Sequence, residues 1–145
     1  MHRIMVVDDE ENILKSITRV LNDLVDVEVE CFTKPTEALR RAKTSVYDLF
    51  ISDFRMPGID GISFLVSTKN LQPNSVRIIL SGQADETVLA DSINEAEIFR
   101  FILKPWNNTE LLKSVTQALQ HKDILYENKI LSDKVRSLSV PSWCK

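Results

Sequence analysis

Arg3-Ile4-Met5-Val6-Val7-Asp8-Asp9 is an apolar run that stops abruptly at two acids. Five residues rich in β-branched side chains fit a strand buried on both faces. The next segment changes period. Ile13, Leu14, Ile17, Val20, Leu21 and Leu24 fall at i, i+1, i+4, i+7, i+8 and i+11, one stripe of a 3.6-residue helix. Strand then helix is the unit that repeats along the chain. Val27–Phe32, with acids at Glu28 and Glu30, predicts an edge strand with one wet face. Pro35 opens a second helix through Ala38, Leu39 and Ala42. Tyr47–Ser52 is the next apolar strand. A Pro57-Gly58 turn follows, then Gly61 ahead of a helix with Ile62, Phe64, Leu65 and Val66. Val76–Leu80 predicts a fourth strand, about Glu86 to Asn94 a weaker helix, and Ile98–Leu103 a fifth strand. Asn107 and Glu110 have the spacing of a capping box before a helix with Leu111, Leu112, Val115, Ala118 and Leu119. Strict βα alternation argues for an α/β fold, a doubly wound parallel sheet of five strands with helices on both faces.

Composition agrees with a single globular unit. The chain has 145 residues, 43% hydrophobic and 27% charged, with only 3 Gly and 5 Pro. That is enough apolar material for a core and excludes fibrous, low-complexity and disordered classes. No apolar run approaches the ~18 residues of a membrane span, and the acids at 8–11 interrupt any signal-peptide pattern. The expectation is a soluble, cytoplasmic protein. The net charge of −3 gives no basic surface for nucleic acid. Cys31 and Cys144 are the two cysteines, with no CxxC and no clustered His, so neither a zinc site nor a disulfide framework is indicated. Cys31 is expected to pack as a small hydrophobe.

In an open α/β sheet, ligands sit outside the carboxyl ends of the strands. Here those ends carry Asp8 and Asp9, Asp53, Ser81 with Gly82, and Lys104 with Pro105. Each alone is unremarkable as a cap or turn former. Together they bring three carboxylates, a hydroxyl and an ammonium to one edge. Crowded carboxylates on an open cleft suit Mg²⁺, which takes one or two of them and keeps several waters. An Asp beside such an ion can act as nucleophile toward a phosphoryl group, while a Lys, a hydroxyl and backbone N–H groups hold the transferring oxygens.

Val6-Val7-Asp8-Asp9-Glu10, Asp53-Phe54-Arg55-Met56-Pro57-Gly58-Ile59-Asp60-Gly61, Ser81-Gly82 and Leu103-Lys104-Pro105 closely resemble, in order and spacing, the response-regulator receiver domain of bacterial two-component signalling. The resemblance covers about residues 1–121. It implies a flavodoxin-like (βα)5 sheet of order 2-1-3-4-5, with the C-terminal helix here extended. It implies Asp53 as phosphoacceptor from a sensor histidine kinase or phosphotransfer protein. Mg²⁺ or Mn²⁺ would be held by Asp9, Asp53 and the main-chain carbonyl of Arg55, with Asp8 acting through water. Lys104, Ser81 and Gly82 would bind the phosphoryl group, the Lys104-Pro105 peptide would be cis, and Ser81 and Phe101 would be the switch pair. Ser81 and Phe101 stand where Thr and Tyr are also common. The output would be switched through the fourth helix, fifth strand and fifth helix. Ile98–Trp106 with Ser81-Gly82-Gln83-Ala84-Asp85 further resembles receivers of HD-GYP-type and hydrogenase-type regulators; Phe99 and Trp106 also read simply as apolar packing. Such a domain is a signalling module, at most slowly autodephosphorylating, rather than an enzyme.

Residues 122–140 predict a helical linker or coiled coil. Ile124, Asn128, Leu131, Val135 and Leu138 continue a heptad seam from His121, with Asn at an a position, as paired in-register helices use. A homodimer through this helix is one expectation; a solvated linker, or a helix folded onto its own domain, is the other. Residues 121–145 hold five Lys/Arg against three acids, unlike the acidic remainder. Pro141 is expected to end the helix. Residues 141–145 form a tail, where a longer regulator would begin its output domain; a stand-alone receiver is the alternative. Two other functions compete. A haloacid-dehalogenase-type phosphatase would need a second Asp two residues after its nucleophile, but Arg55 and Glu10 stand there. A pseudo-receiver, an interaction module never phosphorylated, would not require the complete acidic pocket.

Overall fold

The computed structural model describes residues 1–82, 85 and 93–139, with side chains described for 1–82, 85 and 94–134. Five parallel strands form one sheet in the order β2-β1-β3-β4-β5. They are β1 (His2–Val7), β2 (Val27–Phe32), β3 (Leu49–Asp53), β4 (Val76–Ser81) and β5 (Arg100–Leu103). Each described crossover is helical: α1 (Glu11–Leu21), α2 (Pro35–Ala42), α3 (Gly61–Leu71) and a four-residue α4 (Ile93–Ala96); α5 (Asn108–Ser139) follows the last strand. This is the flavodoxin-like fold of order 2-1-3-4-5 that the family resemblance implies. The expected helix from Glu86 lies mostly outside the described residues, and so does Pro141.

Alternation along the strands separates two cores. Ile4, Val6, Leu49, Ile51, Ile78, Leu80 and Ile102 face α1 and α5, where they meet Leu14, Ile17, Leu21, Leu111 and Val115. Met5, Val7, Phe50 and Ile79 face the other way, toward Ala38, Ala42, Ile62, Phe64, Leu65 and Ala96. Strands covered on both faces must be apolar at successive positions, which is why β1, β3 and β4 read as continuous runs.

Two expectations at the edge strand need correction. Glu30 is only partly open to water. It is half-buried, accepts from Tyr47 Oη at 2.7 Å and Arg3 Nη2 at 2.7 Å, and pairs with Arg41 Nε at 3.2 Å. Long cations and a phenol from β1, α2 and the β3 approach fold over the carboxylate, so strand alternation alone misplaces it. Cys31 is exposed rather than packed, because β2 has no outer neighbour in the sheet; Thr18 Oγ1 of α1 lies 3.3 Å from its sulfur.

α5 changes character along its length. Leu111, Val115, Ala118 and Leu119 are buried against the sheet. Asn107 Oδ1 accepts from the N–H groups of Thr109 and Glu110, so the predicted cap is present. The last ties to the domain are His121 stacked on Phe99, Lys122 at 4.0 Å from Asp48 and His2 bonded to Asp123 at 2.9 Å. Beyond them Ile124, Leu125, Tyr126 and Leu131 stand exposed.

Candidate functional site

Three strand ends build an acidic pocket. β1 stops at Val7, and the chain turns into α1 through Asp8, Asp9 and Glu10. The turn is fixed by the Glu10 N–H donating to Asp8 Oδ1 at 2.9 Å. Asp53 is the last residue of β3. Carboxylate oxygens of Asp8, Asp9 and Asp53 lie within 4.8 Å of one another. Asp8 is fully buried and Asp53 nearly so, while Asp9 is exposed at the rim. From the end of β5, Lys104 Nζ reaches Asp53 Oδ1 at 2.8 Å and Asp8 Oδ2 at 3.2 Å. The Lys104-Pro105 bond is cis.

The charges explain one another. Burial pushes the Asp8 carboxyl up from 3.8 to about 6; the Glu10 amide works against this and the charge of Asp53 adds to it. Burial likewise raises Asp53, with Lys104 opposing. For Lys104, burial alone would favour the neutral amine, but the bond to Asp53 and the nearby Asp8 outweigh it and hold the ammonium above its usual range. One cation therefore serves two buried acids with a third beside them. Hard, oxygen-only ligands around an electrostatic surplus fit Mg²⁺ or Mn²⁺. Among the described residues no hydrogen bond reaches the carbonyl of Arg55, which leaves that oxygen free for a ligand role.

Ser81 ends β4, one residue past Leu80, the register partner of Asp53. Its Oγ is buried and is the one buried side-chain polar atom without a hydrogen-bond partner among the described residues. Alternation puts Ser81 on the sheet face of Ile79, whose partner across β5 is Phe101, half-buried in the same core. Ile124, Asn128 and Leu131 lie apart from this pocket, exposed on the outer part of α5; the side chains of Val135 and Leu138 lie outside the described residues.

Two residues given no role from sequence shape the pocket. A Cβ on Gly61 would fall 2.1 Å from the Asp53 carbonyl oxygen. Glycine there lets the start of α3 close onto the end of β3, where the Gly61 N–H donates to the Phe54 carbonyl at 2.7 Å. The Pro57–Gly61 turn signal hinted at this, but only the close approach shows why no side chain fits. Asp85 is buried and bonded to both Arg55 and Gly82. It closes the stretch from Ser81 that carries part of the family resemblance, but that stretch gives it no role.

The response regulator receiver domain family matches residues 4–116, and the chain belongs to it. Among curated proteins it is similar to the hydrogenase transcriptional regulatory protein HoxA of Bradyrhizobium diazoefficiens, 33% identical over 94% of this chain and 28% of the relative. It is also similar to the cyclic di-GMP phosphodiesterase response regulator RpfG of Xanthomonas campestris, 29% identical over 81% of this chain and 32% of that protein. The chain thus spans about a third or less of these relatives. Among solved structures, the signal receiver domain of an HD domain-containing protein from Pseudomonas fluorescens Pf-5 superposes with a TM-score of 0.81 at 34% identity, covering 87% of this chain and 92% of that one. The chain is therefore a signalling domain rather than a classical enzyme. Receivers of this family bind Mg²⁺ at an acidic pocket and work with histidine kinases. No described helix is long and apolar enough to cross a membrane.

Proposed function

We propose that this receiver accepts a phosphoryl group on Asp53 and signals through Ser81 and Phe101. The observation that carries the reading is the orphaned Ser81 hydroxyl. Leaving a buried donor unpaired costs about 1–3 kcal/mol, so this hydroxyl has a hydrogen bond to offer a ligand. A phosphoryl oxygen on Asp53 would be that ligand.

In this reading, a carboxylate oxygen of Asp53 attacks the phosphorus of a phosphohistidine. An O–P bond forms, the N–P bond breaks, and the imidazole leaves with a proton from solvent. Lys104 already sits 2.8 Å from Asp53 Oδ1 and neutralises charge that develops on the transferred group. Ser81 Oγ and the Gly82 N–H hold its oxygens. Asp9, Asp53 and the Arg55 carbonyl, with Asp8 through water, would bind magnesium or manganese, which when bound supplies further positive charge against the phosphoryl oxygens. Drawing Ser81 toward the group moves the end of β4. Phe101, on the same sheet face and neighbouring strand, follows and alters the α4–β5–α5 surface. The exposed outer part of α5 serves as a linker that pairs with a second copy.

Acetyl phosphate with Mg²⁺ tests the acceptor directly. Mass spectrometry should show one added phosphoryl group, absent in Asp53→Asn. Acquisition of the group by that variant, or none by the wild type, overturns the assignment. The pseudo-receiver reading predicts the second result. A phosphatase predicts sustained turnover of a phosphate ester instead of a single slowly lost adduct.

A further inference from the structure

A fourth acid stands beside the pocket. Asp85 is only 4% exposed, although it lies in the segment after β4. Its Oδ2 accepts from the Gly82 N–H at 3.2 Å. Its Oδ1 accepts from Nε of Arg55, whose side chain is otherwise 69% exposed. The Asp85 N–H returns a bond to the Gly82 carbonyl at 3.1 Å. The carboxylate thus straps the loop after β3 to the loop after β4. It does so at the amide next to Ser81, whose buried hydroxyl has no partner among the described residues.

At 3.2 Å the bond to Gly82 lies at the long end of the ordinary N–H···O range of about 2.7–3.2 Å, and a better-placed anion can take the amide over. A hypothetical Cβ on Gly82 would find Asp85 Oδ2 at 3.7 Å and no other atom within 4 Å. Among the described residues other than its chain neighbours, nothing else crowds the Gly82 Cα.

We infer that Asp85 is a built-in competitor of the phosphoryl group: its carboxylate, pinned by Arg55, occupies the Gly82 N–H that an oxygen of the phosphorylated Asp53 side chain takes. The inference rests on the proposed role of Asp53. Phosphorylation then displaces one anion with another, and the Arg55–Asp85 strap opens as part of the switch. Asp85 is a positioning residue here, since it touches the donor rather than the reacting atoms. Its cost to the resting state is a lowered affinity for the phosphoryl group.

The test uses the full chain with Mg²⁺ and beryllofluoride, an acyl-phosphate mimic, followed by calorimetry. Asp85→Asn keeps the shape and weakens the acceptor; Asp85→Ala removes it. Both should bind beryllofluoride more tightly than wild type, Ala by about tenfold, the loss of one charge-assisted bond. The gain should persist in about 0.5 M KCl, where a charge acting at a distance would be screened. Thermal melts establish that each variant folds, and Asp85→Asn decides if Asp85→Ala does not. Equal or weaker binding by the folded variants, with the wild type binding normally, overturns the competitor and leaves the Asp53 assignment intact. A gain that vanishes in salt overturns it too. If wild type binds no beryllofluoride, the acceptor site itself fails and the competitor falls with it.

Discussion

A serine hydroxyl that is buried without a partner among the described residues is a liability to the resting fold, and this gives Ser81→Ala two opposite effects. The magnesium-free variant should gain about 1 kcal/mol against urea, because an unsatisfied group is gone. Its affinity for beryllofluoride should fall about tenfold, because a phosphoryl ligand is gone too. Asp53 should still take up the group. A variant that loses stability, or binds the mimic as wild type does, contradicts this account of the hydroxyl. Gly61 fails differently. Gly61→Ala drives a methyl against backbone atoms of Asp53 and Phe54, at 2.1 and 2.9 Å, and backbone cannot step aside as a flexible side chain can. A loss of about 2–3 kcal/mol is expected, with slower phosphorylation as the Asp53 backbone shifts. Asp8 supplies the pH dependence. Its carboxyl rises from 3.8 to about 6 on folding, chiefly through burial, so the folded chain holds that proton more tightly. The resulting stability is fully present below pH 3.8 and lost as the pH climbs through 6. In chelator, wild type should lose about 1 kcal/mol relative to Asp8→Asn between about pH 5 and 7. Magnesium, which needs the ionised form, should reverse that slope. Chemical denaturation across pH measures both. At this scale the sequence showed the charged members of the site, since acids and a lysine at strand ends have no packing reason to be there. It did not show Asp85 or the need for glycine at 61, because both depend on where one loop's backbone meets another.

Elements were legible wherever a period was long enough to be unambiguous. The α1 stripe is present, with Leu14, Ile17, Val20 and Leu21 buried and Ile13 partly so, but the helix ends at Leu21, short of Leu24. β1, β3 and β4 lie within a residue or two of their apolar runs. β5 is shorter than its run. Glu97 takes a left-handed φ of 50°, the first bond to β4 is given by the Phe99 N–H to the Arg77 carbonyl at 2.8 Å, and the regular strand begins at Arg100. Periodicity cannot register such a turn, because the same apolar residues pack whether the backbone is paired or not. On β2 the alternation was right and its meaning was incomplete, since Glu30 is neutralised by groups far off in sequence. The start of α5 was readable from one side chain. Asn107 satisfies two N–H groups at 2.8 and 3.3 Å, and Asn107→Ala should cost about 1 kcal/mol. Hydrogen exchange should localise the loss to the first turn of α5. Uniform loosening along the helix would mean that packing of Leu111 and Val115, rather than the cap, sets this end.

For the molecule as a whole, the question is what the outer part of α5 does with its apolar side chains. The helix has 32 residues, about 48 Å at 1.5 Å per residue, and only its first third lies on the sheet. The domain releases it at a definite place, marked by the Phe99–His121 stack and the His2–Asp123 bond. His121 is thereby committed to its own domain, which removes the first position of the predicted heptad seam and moves its start to Ile124. There Ile124 and Leu131 are 53% and 58% exposed, too much apolar surface to be explained by packing on the same chain. An isolated helical extension of this length is only marginally stable in water, so pairing would stabilise it as well as cover it. The expected behaviour is a reversible dimer, detected by light scattering as a mass that rises with concentration. Leu131→Asp should keep the chain monomeric at concentrations where wild type dimerises, while leaving Asp53 phosphorylation unchanged, since the substitution lies far along the helix from the pocket. If phosphorylation shifts the α4–β5–α5 surface, it acts next to the point where Phe99 grips the helix. The dimerisation constant should then differ between free and beryllofluoride-bound protein, and Phe99→Ala should erase that difference while the dimer itself persists. A mass of one chain at every concentration would dispose of the seam and leave α5 as a spacer.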